Sequence, residues 1–171
     1  MPAASVKEPI DLGVALLEAW DTNERINQYL LASLDQAAWH ASAEGTTGRT
    51  IASIFAHVHN VRHMWLITSG TEHPIPQKID RRKATMAEMS KLLADGAKAM
   101  RAVFEAGLAR GGRVKDFRPD VLGFFAYALS HEAHHRGQIC LQAKQQGYPL
   151  SKEAGFGMWE WTKRWKEAVG R

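Results

Sequence analysis

Two stretches decide how this chain is read: His131-Glu132-Ala133-His134-His135-Arg136-Gly137-Gln138 and, far upstream, Ile54-Phe55-Ala56-His57-Val58-His59. A helix turns about 100° per residue, so His131 and His135, four apart, share one face with Cβ atoms roughly 5–6 Å apart. That spacing lets two imidazoles hold one metal ion. A third imidazole from another helix, His57, completes a three-histidine set with positions left open, the arrangement of catalytic rather than structural metals.

Measured around the helix from His131, His135, Gln138, Phe124 and Tyr127 all fall on the same narrow stripe, within less than half a right angle to either side. Phe125 and Leu129 make the adjoining side apolar, so this helix is expected to be heavily buried. Two buried imidazoles without partners would cost roughly 1–3 kcal/mol each, and coordination offsets that cost. His57 falls on a stripe with Ile54, Val61, Met64 and Trp65, the expected core side of its helix. A lone histidine on such a face is more often a satisfied core residue than a ligand. The three together favour a metal. His59, His63 and His134 read as solvated or interfacial polar surface. Cys140, on the opposite side of the helix from His131, reads as a small core residue facing away from the site.

Outward from these stretches the periodicity stays helical and no alternating run argues for strands. One helix is expected from Pro9 to Leu34, with Pro9 in its first turn and an apolar face of Leu16, Leu17, Trp20, Ile26, Tyr29 and Leu30. A second runs from Arg49 to Thr68, entered through Thr46-Thr47-Gly48. A third opens at a capping box, Thr85 with Glu88 three residues on, and stops at Gly111-Gly112. A fourth runs from Pro119 to Gln146, with Gly147 just past its end. A short fifth, Gly157 to Ala168, sets Met158, Trp161 and Trp165 on one side. The fold class is all-α, a four-helix bundle with a short additional C-terminal helix, in one domain over residues 1–171.

Composition agrees with that class: 45% hydrophobic and 23% charged residues, with six tryptophans to supply buried area. A single cysteine excludes an intrachain disulfide and suits a reducing compartment, so a cytoplasmic location is expected. No signal peptide or long apolar run is visible, and no membrane partner is expected. The net charge of +4 is spread over short clusters rather than a basic stripe, which argues against nucleic acid. The cluster from Arg110 to Arg118 suits at most a small anion.

His131-Glu132-x-x-His135 also satisfies the H-E-x-x-H pattern, in which the glutamate is the general base of a metallopeptidase. The extended form needs Gly at 138 and His at 141, where this chain has Gln138 and Leu141.

At the helix-two stretch ending in Met64-Trp65-Leu66, at His131 to Gln138, and at Ala19-Trp20-Asp21-Thr22-Asn23-Glu24-Arg25, the chain resembles the DinB/YfiT-like family, whose members are read as metalloenzymes. The resemblance implies an up-down-down-up bundle, a homodimer, and a divalent metal, commonly nickel or zinc, on one histidine of helix two and two of helix four. By position these are His57, His131 and His135. Some relatives transfer to, or isomerise with, a low-molecular-weight thiol, so a transferase or hydrolase acting on a small-molecule substrate is implied. Donor type alone suits zinc, nickel, copper or iron equally. A non-catalytic metal-binding stress-response protein is the other class that fits. Glu132 is a candidate base or outer partner of a ligand, though a surface helix acid is its commoner role. Tyr127 and Gln138 flank the ligands as candidates to contact bound water, thiol or substrate.

Overall fold

The computed structural model describes residues 9–42 and 49–170. Among them the chain is helical with no strand: α1 (Leu12–Ala32), a single 3-10 turn (Gln36–Ala38), α2 (Ile51–Ser69), α3 (Met86–Ala109), α4 (Val121–Gln145), α5 (Lys152–Gly157) and α6 (Trp161–Val169). Local chemistry sets most boundaries. Asp11 accepts from the N–H groups of Gly13 and Val14, Thr50 from Ser53, and Asp120 from Gly123. Thr85 and Glu88 form both halves of the expected capping box. Gly147 takes φ 84° just beyond α4, a conformation costly for other residues.

Two expected boundaries are corrected. Pro9 lies outside α1, because the Asp11 carboxylate supplies the cap two residues later. The expected fifth helix is two helices: Ser151 caps α5, and the backbone breaks over Met158-Trp159-Glu160 before α6 begins. The entry through Thr46-Thr47-Gly48 lies outside the described residues.

The helices α3 and α4 each pack against both α1 and α2, and α6 lies along α1. Trp165 reaches α1, its Nε1 donating to Glu18 at 2.8 Å, but the most buried residue of α6 is charged. Trp161 is half-exposed, while Arg164 is buried with its guanidinium 4.0 Å from the centre of the Tyr29 ring. Close approach of α3 to the start of α4 requires Gly107, where any Cβ would meet the Val121 side chain at 2.8 Å.

The apolar interior is divided in two. One half gathers Leu30, Leu34, Trp39, Ile51, Phe55, Leu93 and Ile139; the other gathers Leu16, Trp20, Leu66, Met100, Phe104 and Phe124. Between them, at the middle of the long helices, lie buried Asn23, Glu24, Asn27, His59, Arg62, Glu132 and His135. The buried stripe of α2 accordingly runs through Ile51, Phe55, Val58, His59, Arg62 and Leu66. His57 and Val61 sit at its half-buried edge, and Met64 is exposed.

Candidate metal centre

At the edge of the polar layer, α2 and α4 bring His57, His131 and His135 together. The Nε2 atoms of His131 and His57 are 3.4 Å apart, and those of His135 and His131 are 3.1 Å apart. One ring nitrogen from each of the three lies within 4.8 Å of the others. Tetrahedral zinc, with Zn–N bonds of about 2.0–2.1 Å, sets its ligand nitrogens about 3.3 Å apart. Two of the contacts match that spacing, and the donor set lies within reach of one divalent ion.

Protonation favours binding as well. Burial, aided by the neighbouring imidazoles of His135 and His131, lowers the His57 pKa to about 4. Burial likewise lowers His131 and His135 from the ordinary histidine value. Neutral imidazoles are the ligating form.

Gln138 holds one ligand from behind. Its Oε1, an acceptor, lies 2.8 Å from His135 Nδ1, so that nitrogen donates and Nε2 is left with its lone pair toward the cluster. The Gln138 amide nitrogen donates to Nε2 of exposed His134 at 2.9 Å. Gln138 thus touches a ligand's far side. Tyr127 stands at the rim, its ring stacked near His131 at 6.0 Å and edge-on to Trp65 at 5.6 Å.

Glu132 is 2% exposed, which corrects its reading as a surface acid. Its Oε1 accepts from Arg62 Nε at 2.7 Å, and its Oε2 from Arg62 Nη2, Asn23 and Asn27 at 2.7–2.8 Å. Burial alone would raise its pKa, but the Arg62 guanidinium and these hydrogen bonds hold it below the ordinary value. A carboxylate so engaged is a poor proton acceptor, which removes the geometric basis of the metallopeptidase pattern. Arg62 also bonds Glu24 at 2.8 Å and the Leu93 carbonyl at 2.7 Å, and sits 5.2 Å from the Trp20 ring centre. The available sequence signal was spacing: Asn23, Glu24 and Asn27 continue the buried face of Trp20 and Leu30 at helical intervals.

Of His59 and His63, both read as solvated or interfacial surface, His59 is corrected to a buried residue and His63 is half-buried at an interface. His59 is 1% exposed, with Nε2 2.8 Å from the Gln77 carbonyl, and His63 Nδ1 lies 2.8 Å from that of Pro76. With Asn60, which pairs twice with Ile79, they clamp the connection between α2 and α3. Cys140 is half-buried and packs against the core, and burial raises its thiol pKa.

The sequence profile of the DinB superfamily matches residues 19–139, more than two thirds of the chain and a span holding all three histidines. The chain belongs to the DinB superfamily. No curated protein and no solved structure gives a significant match to it.

Proposed function

We propose that this DinB-superfamily protein is a metal-dependent enzyme, a transferase or hydrolase acting on a small-molecule substrate. His57, His131 and His135 hold its divalent ion, nickel or zinc. The observation that carries this reading is the convergence of three neutral imidazoles from two helices, with contacts of 3.1 and 3.4 Å and one ring fixed from behind by Gln138. When bound, such an ion supplies Lewis acidity that lowers the pKa of water or of a low-molecular-weight thiol.

The chain's own residues divide the remaining work. Gln138 sets the tautomer and angle of His135. Glu132, locked to Arg62, fixes α4 against α1 and α2, so that His131 and His135 keep their register opposite His57; it is a positioning residue. Tyr127 supplies an aromatic wall beside His131 for an incoming substrate. Half-buried His57 and His131 leave an approach from solvent.

The four long helices are read in up-down-down-up order, with α3 and α4 each packed against both α1 and α2. A homodimer in the cytoplasm completes the proposal. The lone cysteine supports that location, as does the absence, among the described residues, of any helix long and apolar enough to cross a membrane.

Elemental analysis of purified protein tests the first step, with one divalent ion per chain expected and loss of that ion in His57→Ala. Equal folding and equal metal poverty in both proteins would end the proposal. Turnover is then read with a panel of electrophiles and each candidate thiol. Reaction with one thiol supports a transferase, and cleavage of esters or amides by water supports a hydrolase. Stoichiometric metal without turnover on the whole panel would overturn the enzymatic reading in favour of a non-catalytic metal-binding stress-response protein.

A further inference from the structure

On the flank of α4 away from the histidines, α1, α4 and the corner between α5 and α6 enclose a cleft of about 540 Å³. That lies within the roughly 300–1,000 Å³ typical of small-molecule sites. Its walls are apolar, with Ile26, Leu129, Met158, Trp159 and Trp161 among them, and Arg136 also lines it. Trp159 is 83% exposed and Trp161 46% exposed, a large indole surface with little protein against it.

Arg136 is the unusual member of the polar layer. Its Nη1 donates to Asn23 Oδ1 and Asn27 Oδ1, both at 2.7 Å, which locks the guanidinium in place. Its Nε and Nη2, the edge that grips a carboxylate through two parallel bonds, have no partner among the described residues. The nearby carboxylates do not serve it directly. Glu132 and Glu24 are both bonded to Arg62, and no acid among the described residues pairs with Arg136.

We infer that this cleft is a second ligand site, taking a small organic monoanion with its carboxylate on the Nε–Nη2 edge of Arg136 and its apolar body against Trp159 and Trp161. The two open donors match the two oxygens of a planar carboxylate, and the neighbouring Glu24 and Glu132 disfavour a dianion such as phosphate. The site is independent of the metal centre, from which it is separated by the body of α4.

The test titrates the full chain with 3-phenylpropionate and with the corresponding amide, following tryptophan fluorescence and heat. Saturable one-to-one binding of the acid is expected, with the amide about tenfold weaker or more, because the charge-assisted pair is lost. Trp159→Ala, at an exposed position, is expected to weaken the acid at least about fivefold. Arg136→Lys is expected to weaken it as well, since one ammonium does not reproduce the paired edge. Equal binding of acid and amide, or no binding of either at millimolar concentration, would overturn the inference. So would a change of sedimentation coefficient in Trp159→Ala without loss of acid affinity, which would make the cleft a contact between copies of the chain. His57→Ala is expected to keep the acid affinity within about twofold, so failure of the metal centre leaves this result readable.

Discussion

Two polar clusters hang on the same pair of helices, one residue apart on α4, and they differ in what they lack. Arg62 and Glu132 form a closed set: every charged group meets an opposite charge or a fixed dipole, and burial is nearly complete. His57, His131 and His135 form an open set, in which burial keeps the rings neutral and their nitrogens crowd at 3.1–3.4 Å. A satisfied cluster stabilises and orients. An unsatisfied one at its half-buried edge attracts a ligand. The closed cluster contributes to the fold, and the open one carries the proposed chemistry.

The comparison breaks most easily at Arg62. Arg62→Met leaves Glu132 and Glu24 buried without their counter-charge, and a loss of about 3–5 kcal/mol in urea unfolding is expected. A loss below about 1 kcal/mol would mean that the layer is not held by ion pairing. His57→Ala should behave in the opposite way. Stability of the metal-free protein changes by less than about 1 kcal/mol, since the crowding of three imidazoles is relieved. Metal affinity, measured by competition with a chelating dye, should fall by more than the ~10–100-fold cost of losing an outer partner.

Gln138→Leu sharpens the open cluster further. It removes the acceptor on His135 Nδ1 without removing a ligand, and about 10–100-fold weaker metal binding is expected with an unchanged unfolding midpoint in the metal-free state. Unaltered affinity would show that packing alone orients His135.

The gentlest probe is pH. The folded pKa of His57 lies below the unfolded value, at about 4 against an ordinary 6.5, so between those values the unfolded chain binds more protons than the folded one. Stability of the metal-free protein therefore rises with pH across that window and is lost as pH falls from about 6.5 toward 4. His57→Ala should flatten part of this slope, and denaturant midpoints at several pH values would measure it. An unchanged slope would mean that His57 takes up its proton without resistance from its surroundings.

Much of the open cluster is legible in the sequence. The interval between His131 and His135 fixes their shared face, and His57 lies on a largely apolar stretch of a second helix. The closed cluster is not, because Arg62, Glu24 and Glu132 carry the residue types that usually end up in solvent. Spacing alone hints at them: Arg62 falls between Val58 and Leu66 on the buried side of α2, and Glu24 between Trp20 and Leu30 on α1. The α5–α6 corner departs from the sequence expectation for a related reason. Met158, Trp161 and Trp165 mark an apolar side, yet the buried anchor of α6 is Arg164, held over Tyr29.

By itself the sequence determined local matters: where α3 begins, through Thr85 and Glu88, and which residues of one helix share a face. These follow from caps and a period of about 3.6 residues, and need no partner. Only the tertiary structure decided which polar residues turn inward. A buried charge is costly without a counter-charge or fixed dipoles beside it, and the counter-charges of Arg62 come from residues 38 and 70 positions away.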